Sequence, residues 1–271
     1  MPTKYVQVKG YATQIYYRGK TTLPDVIPDF SRGRTIALIH GAGSNGHTFH
    51  RQVEALGEKH SPVALDLPGH GRSSGVEGLT TVGDYADFIA AWLDTLKIKS
   101  AVILGHSMGG AIAMEFALRH PARVDALVLS STAAKFNVTQ ERIDALRAVS
   151  MGRTTQAFNT DGYSPKTIKD NFDVVREGWM EQIKTDPRVR YGDIVACSKV
   201  DLREAIAKID QPALVLAGKD DQGTTVDDAE LIVSRIKGAK LEVIADAGHY
   251  STREQPAQFN AAVQQFVDGL K

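Results

Sequence analysis

The chain has 271 residues, of which 42% are hydrophobic and 24% charged, a composition typical of a globular protein with a full apolar core. Lysine plus arginine equals aspartate plus glutamate at 32 each, so charge gives no reason to expect nucleic acid or an anionic membrane as a partner. The single cysteine, Cys197, excludes an intramolecular disulfide and any site built from several thiolates, such as an iron–sulfur cluster.

The beginning of the chain and its apolar runs give an expectation about location. Residues 1–5 lack the apolar segment of a secretion signal, and no apolar run approaches the length that crosses a bilayer. We therefore expect a cytoplasmic protein that does not bind membranes and is present as a monomer or a homodimer.

Eight short apolar runs are candidate strands. Residues 5–9 and 11–17 alternate in polarity on either side of Gly10, which predicts an antiparallel pair at the edge of a sheet. The other six runs lack this alternation and are rich in valine, leucine and isoleucine, as is typical of parallel strands covered on both faces. These six runs are residues 36–39, 63–65, 101–104, 126–129, 213–217 and 241–245.

Predicted helices separate these strands. Residues 82–96 carry their apolar side chains on one helical face, with Thr81 and Asp84 placed to form a capping box. A second helix is predicted after Thr225, and a last one begins at Pro256 and extends to about residue 270. The alternation of strands and helices predicts an α/β protein with a doubly wound, mostly parallel central sheet.

One region departs from this alternation. Residues 134–190 contain no convincing strand, only helical patches that carry aromatic and soft apolar side chains. We predict a small helical cap inserted after the sixth strand, with residues 1–133 and 191–271 forming the core domain. Ligands of open α/β sheets bind outside the carboxyl ends of the strands, where this insertion emerges. The alternative is a loosely packed decoration without a functional role.

Residues 105–109 have the pattern Gly-x-Ser-x-Gly, with Ser107 at its centre. The pattern follows a predicted buried strand and precedes a predicted helix, so Ser107 lies on a sharp turn that exposes its hydroxyl. Glycines on both sides allow strand and helix to approach closely. Ser107 is therefore a candidate nucleophile, with a plain glycine-rich turn as the alternative.

A serine hydroxyl needs a base to take its proton and a third group to orient that base. His249 follows the last predicted strand on a glycine-bearing loop and is the histidine best placed to be the base. Asp220 and Asp221 both follow the strand at 213–217, and the residues themselves leave open which of them orients the histidine.

The glycine-rich segment 40–46 follows the strand at 36–39. In acyl transfer an oxyanion develops that needs preplaced hydrogen-bond donors. We expect one donor to be the backbone amide of Met108 and the other to come from this segment, with Ala42 favoured over Gly43. A phosphate-binding loop is the alternative, but a Gly-Lys-Ser/Thr ending and the Rossmann glycine spacing are both missing from the segment.

Together these motifs resemble the α/β-hydrolase superfamily, and the resemblance covers nearly the whole chain. It rests on the segments 40–46, 105–109, 218–221 and 247–249, and on the Asp-Leu-Pro-Gly-His-Gly-Arg-Ser turn at 66–73. The resemblance implies the α/β-hydrolase fold and, by the family's spacing, assigns the acid to Asp221. The order Ser107, Asp221, His249 along the chain is the order of that fold.

The resemblance also implies an activity. Relatives that are dehalogenases or epoxide hydrolases have an aspartate where this chain has Ser107, so the serine points to esterases and lactonases. We therefore expect a hydrolase of small carboxylic esters or lactones that forms an acyl-enzyme and uses no cofactor or metal.

Two other functions remain open. One is hydrolysis of a carbon–carbon bond in vinylogous diketone acids from aromatic-ring cleavage, and the other is a ligand sensor with slow or no turnover. The carbon–carbon hydrolase would need an arginine for the substrate carboxylate, and none is obviously placed. We expect the candidates to lie on solvated helix faces; they are Arg147, Arg153, Arg176, Arg188 and Arg190.

Overall fold

The computed structural model describes residues 1–270, and its centre is an eight-stranded sheet. The order of the strands across the sheet is β1-β2-β4-β3-β5-β6-β7-β8. β1 pairs antiparallel with β2 and β2 with β4, whereas all other neighbours are parallel. The strands are β1 Thr3–Val8, β2 Tyr11–Tyr17, β3 Thr35–Ile39, β4 Ser61–Leu65, β5 Ala101–His106, β6 Val124–Ser130, β7 Ala213–Gly218 and β8 Lys240–Ile244.

Ten α-helices surround or follow these strands in the described part of the chain. They are α1 His50–Leu56, α2 Val82–Thr95, α3 Met108–Arg119, α4 Gln140–Ser150, α5 Pro165–Asp170, α6 Phe172–Gln182, α7 Pro187–Ser198, α8 Val226–Arg235, α9 Ser251–Glu254 and α10 Pro256–Asp268. Among residues 1–270, none of these helices combines the length and the apolar character needed to span a membrane.

Apolar cores lie on both faces of the sheet. On one face α2, α3 and α8 pack on the strands, with Trp92 and Phe116 fully buried among them. On the other face α1 and α10 pack on the same strands, with Val53 and Phe259 fully buried. The doubly wound, mostly parallel sheet predicted from the sequence is therefore confirmed, because a strand covered on both faces has to be apolar on both.

The local signals for helix starts are also found in the structure. Thr81 precedes α2 and its side chain accepts a hydrogen bond from the amide of Asp84. Thr225 and Asp228 form a reciprocal capping box at the start of α8, and Pro256 is the first residue of α10. The threonine side chains accept hydrogen bonds from backbone amides that the first turn of a helix leaves unpaired. Proline has no amide N–H, so it leaves none unpaired in that position.

The segment between β6 and β7 contains the helices α4 to α7 and no strand among its described residues. The predicted end of the cap, between residues 190 and 191, falls inside α7, so a division of the chain there would cut a helix. The helical patches predicted from the sequence at residues 141–150, 166–171 and 174–184 lie close to α4, α5 and α6, whereas α7 was not recognised as a helix.

The topology brings four loops to one edge of the sheet. β3, β5, β7 and β8 are mutually parallel through their ladders, so their carboxyl ends lie on the same side. The loop after β3 contains Ala42, the turn after β5 contains Ser107, and the loops after β7 and β8 contain Asp221 and His249. Such an edge is where open α/β sheets bind ligands.

Candidate active site

Ser107 lies on the turn between β5 and α3, with backbone angles φ 55° and ψ −120°. A non-glycine residue in this region is strained by roughly 1–3 kcal/mol, and the surrounding contacts must hold it. The Ser107 amide donates to the carbonyl of Ser130 (2.9 Å), and the Ser107 carbonyl accepts from the hydroxyl of Thr132 (2.7 Å). The turn is thus fixed to the end of the neighbouring strand β6.

The two glycines of the pattern are required by close packing. A Cβ atom at Gly105 would collide with the backbone of Gly109, the second residue of α3. A Cβ atom at Gly109 would collide with the carbonyl oxygen of Ile39 at the end of β3. The helix therefore begins directly against two strands, which leaves the Ser107 side chain at the top of the sheet.

His249 and Asp221 are joined by a hydrogen bond, in which His249 Nδ1–H donates to Asp221 Oδ2 at 2.8 Å. The Asp221 side chain is fully buried, and it also accepts from the amides of Gly223 (2.8 Å) and Thr224 (3.0 Å) and from the Thr224 hydroxyl (2.7 Å). Burial alone would raise the pKa of Asp221, but the charge and hydrogen bond of His249 and the bonds from Thr224 outweigh it and lower the pKa to about 2.

Of the two adjacent aspartates that the residues left open, only Asp221 contacts His249. The amide of Asp220 donates to the carbonyl of Ala247 (2.8 Å), and its carboxylate forms no hydrogen bond with a described residue. Asp220 therefore stabilises the loop through its backbone amide. Asp221 is a charged acceptor that fixes the tautomer and orientation of the His249 ring.

Ser107 and His249 both line a cavity of about 110 Å³. No direct hydrogen bond joins their side chains within the described residues. In ligand-free sites such bonds are often long or poorly aligned and tighten only when substrate binds. The two residues are thus brought to the same cavity, on loops from different strands.

The glycine-rich loop contributes Gly41, Ala42 and Gly43 to the same cavity. The Gly43 amide is engaged, because it donates to Asp193 Oδ2 on α7 (2.8 Å). The amides of Ala42 and Met108, by contrast, donate to no group in residues 1–270. Of the two donors left open in this loop, Ala42 is therefore the one whose N–H is available.

Asp193 is a buried acceptor that the sequence analysis did not single out. Besides the Gly43 amide, it accepts from His70 Nε2–H (2.7 Å) and from the Tyr85 hydroxyl (2.9 Å), and both Asp193 and His70 are fully buried. Burial would lower the pKa of His70, but the charge of Asp193 outweighs it and raises that pKa. Asp193 thus links α7 to the 66–73 turn through His70 and to the glycine-rich loop through the Gly43 amide.

Two further residues near His249 were also missed. His106 Nε2–H donates to the His249 carbonyl (2.8 Å), and burial together with the nearby charge of His249 lowers the pKa of His106 to about 3. Glu254 is buried and accepts from the amides of Gly248 (2.9 Å), Tyr250 (3.2 Å) and Ser164 (2.8 Å). His106 is thus a neutral hydrogen-bond donor to the His249 backbone, and Glu254 fixes the loop that contains His249 through backbone amides. The sequence pattern predicts neither contact.

The expectation that all five candidate arginines lie on solvated faces is wrong for Arg190. Arg176 and Arg188 are exposed and form ion pairs with Asp173 and Asp186, as expected. Arg190 instead lines the cavity that contains Ser107, as do Arg142 and Arg253. Its position follows from α7, the helix that the sequence pattern did not predict.

A larger surface depression, of about 720 Å³, lies elsewhere on the molecule. It is lined by residues 25–31, Thr35 and residues 96–100. These segments precede β3 and β5, so the depression lies at the amino ends of the strands, away from Ser107. Among residues 1–270, no group of three or more histidine, cysteine or acidic side chains is arranged to hold a metal ion.

The chain is similar to proteins of known family. A family model described as the alpha/beta hydrolase fold matches residues 34–255. Pimeloyl-[acyl-carrier protein] methyl ester esterase of Neisseria meningitidis is 30% identical over 263 residues, which cover 93% of this chain and 80% of that protein. 3-Oxoadipate enol-lactonase 2 of Acinetobacter baylyi is 29% identical over 240 residues, which cover 87% and 90%.

A solved structure agrees with these sequence comparisons. The enol-lactonase from Burkholderia xenovorans superimposes with a TM-score of 0.83 at 26% identity, over 97% of this chain and 99% of that one. The family match spans more than half of the chain. The chain therefore belongs to the α/β-hydrolase fold family.

Proposed function

We propose that the protein is a serine hydrolase that cleaves small carboxylic esters or lactones through an acyl-enzyme. The observation that carries the proposal is the buried Asp221 bonded to His249, whose ring lines the same cavity as Ser107 on its strained turn. Relatives that are named methyl ester esterase and enol-lactonase support this class of substrate.

The reaction begins when Ser107 Oγ attacks the carbonyl carbon and His249 Nε2 takes the hydroxyl proton. Asp221 stays ionised and stabilises the imidazolium that forms, in keeping with its low pKa. The oxyanion of the tetrahedral intermediate accepts hydrogen bonds from the free amides of Ala42 and Met108. The carbon–oxygen bond then breaks, and the alkoxide leaves with the proton from His249.

The second half returns the enzyme to its starting state. Water attacks the carbonyl of the acyl-enzyme while His249 takes a proton from that water. The bond to Ser107 Oγ breaks, the serine recovers its proton from His249, and the carboxylic acid is released. Every group in this cycle belongs to the chain or to the solvent.

Replacement of Ser107 tests the proposal. We expect Ser107→Ala to abolish turnover of p-nitrophenyl butyrate and labelling by a fluorophosphonate, while far-UV circular dichroism stays unchanged. Ser44 lines the same cavity without a base beside it, so Ser44→Ala is the matched control and should still be labelled. Activity that persists in Ser107→Ala would refute the mechanism.

A second candidate function gains support from Arg190. Hydrolysis of a carbon–carbon bond in a vinylogous diketone acid needs a cation for the substrate carboxylate, and Arg190 lines the cavity. The two functions can be distinguished by measuring kcat/KM for a ring-fission product and for simple esters. A kcat/KM for the diketone that is larger by several orders of magnitude would reverse the choice, and saturable binding without turnover would indicate a sensor.

A further inference from the structure

Three arginines line the cavity that contains Ser107. Arg142 belongs to α4, Arg190 to α7 and Arg253 to α9, so three separate helices contribute them. No aspartate or glutamate lines this cavity, and none of the three guanidinium groups forms an ion pair within residues 1–270. The cavity wall therefore carries positive charges that form no ion pair with a described acidic residue.

The environment of Arg253 shows that this positive charge is energetically unfavourable in the protein without a ligand. The residue is 5% exposed, and its Nη1 is buried without a hydrogen-bond partner among the described residues. The charge of Glu177 acts on Arg253, but the carboxylate accepts its hydrogen bonds from Arg51, at 3.0 and 2.8 Å, and none from Arg253. Buried charges are normally paired, so an unpaired guanidinium in a cavity wall indicates that its partner is brought by a ligand.

Arg190 is held beside the loop that contains Ala42. A Cβ atom at Gly43 would lie 2.7 Å from Arg190 Cγ, so the absence of a side chain at Gly43 makes room for the arginine stem. Burial lowers the pKa of Arg190; the Tyr250 hydroxyl offsets this effect in part, and no carboxylate contributes. The guanidinium is thus positioned by packing and lies without an anion of its own.

We propose that Arg190 and Arg253, together with the exposed Arg142, bind a carboxylate of the substrate, so that the protein prefers esters or lactones carrying a second, ionised carboxyl group. Guanidinium groups match the two oxygens of a carboxylate in one plane. A cavity of about 110 Å³ suits a short acid better than a bulkier anion. The inference rests on the hydrolase function proposed above.

Two esters that differ in charge test this preference. Monomethyl glutarate carries a carboxylate where methyl 5-oxohexanoate carries a neutral ketone of similar size. We expect wild-type protein to favour the glutarate in kcat/KM, and Arg190→Gln to lower that value about 30-fold, mainly through KM, as for loss of a hydrogen bond to a charged group. The ketone ester should change less than about threefold, within the range of a surface substitution.

Arg188 provides the matched control, because it lies on the same helix but forms an exposed ion pair with Asp186. Arg188→Gln should leave the ratio between the two esters unchanged, and Arg190→Lys should restore part of the preference. Equal kcat/KM for both esters in the wild type, or an equal loss of both in Arg190→Gln, would overturn the proposal.

Failure of the proposed hydrolase function can be told apart from failure of this inference. A protein that neither turns over any ester nor reacts with a fluorophosphonate would refute the hydrolase, whatever its charge preference. Calorimetric titration with glutarate needs no turnover: we expect binding that is lost in Arg190→Gln and retained in Arg188→Gln. Absence of glutarate binding to the wild type would overturn the carboxylate site.

Discussion

Ser107 and Asp221 are both placed in conformations or environments that a free residue would avoid. Ser107 has a positive φ of 55°, and Asp221 is a fully buried carboxylate. Each is held by several hydrogen bonds from neighbouring backbone or hydroxyl groups. Strain and buried charge of this kind are concentrated at functional positions, because the surrounding fold has to hold them.

Asp221→Asn tests the role of the buried carboxylate in the reaction. The amide cannot stabilise an imidazolium and favours the wrong tautomer of His249, so kcat should fall on the order of 10³–10⁴-fold. Steady-state kinetics on p-nitrophenyl butyrate measure this loss. Asp220→Asn is the control, since Asp220 makes no bond to His249, and a comparable loss in that variant would contradict the assignment.

The same substitution has a consequence for stability. The folded-state pKa of Asp221 is about 2, below its ordinary value of 3.8, so the ionised form stabilises the fold by about 2 kcal/mol. This contribution is present above pH 4 and is lost as the pH falls from about 4 to about 2. Urea unfolding from pH 7 to pH 2.5 should show a shallower acid dependence for Asp221→Asn than for wild type.

At the residue scale, the sequence indicated the candidates that lie in recognisable local motifs. It missed the residues whose contacts are with segments distant along the chain. Ser107 and His249 could be selected as candidates because each follows an apolar run within a glycine-bearing turn. Glu254 and Arg253 carry no such signal, because their roles depend on burial against loops that are distant along the chain. The spacing of residues along the chain does not indicate which charged side chains are buried away from solvent in the fold.

The strands and α7 show the same contrast at the scale of elements. Buried parallel strands are recognisable because every position is apolar, and the six predicted runs lie within β3 to β8, apart from one residue at the end of the last. The buried face of α7 includes Asp193, which interrupts its apolar stripe. The signal available was Asp186 followed by Pro187, a helix cap with proline in the first turn.

α7 positions the glycine-rich loop through Asp193. Asp193→Asn would remove the buried carboxylate that accepts from His70 and would weaken the bond to the Gly43 amide. We expect unfolding to become easier by about 3 kcal/mol, the usual cost of breaking a buried pair, and labelling by a fluorophosphonate to slow about tenfold. Urea unfolding and the second-order labelling rate measure the two effects.

Tyr85→Phe separates the effect of Asp193 on stability from its effect on the rate of fluorophosphonate labelling. It removes one hydrogen bond to Asp193 and leaves the contact with the Gly43 amide in place. This variant should lose stability but keep the labelling rate of the wild type. If both variants slowed labelling in proportion to their loss of stability, Asp193 would be structural only.

Across the whole molecule, polar contacts join the helices between β6 and β7 to the glycine-rich segment and to His47 directly after it. Glu181 on α6 accepts from Asn45 Nδ2 (3.1 Å), and it pairs with His47 (3.2 Å) and Lys184 (2.7 Å). These contacts lie next to the bonds between Glu177 and Arg51 that also join α6 to the core. The position of the inserted helices is therefore coupled to the loop that contains Ala42.

Glu181→Gln tests this coupling through its pH dependence. Burial would raise the pKa of Glu181, but hydrogen bonds from His47, Lys184 and Asn45 outweigh it and lower the pKa to about 2, from 4.5. The ionised form then stabilises the contact by about 2 kcal/mol, allowing for solvent screening of His47 and Lys184. This stabilisation is present above pH 4.5 and is lost as the pH falls from about 4.5 to about 2.

The two tryptophans of the chain report on the inserted helices and on the core. Trp179 lies on α6 and Trp92 is buried in the core, so a Trp179→Phe reference isolates the signal of each. In the wild type we expect the Trp179 fluorescence to change between pH 4.5 and pH 2.5, before far-UV circular dichroism reports loss of the sheet. Glu181→Gln should show the changed fluorescence already at pH 7 and little further change on acidification. Glu230→Gln on α8 is the control, and identical acid transitions of Trp179 in all three proteins would exclude Glu181 as the group that docks the inserted helices.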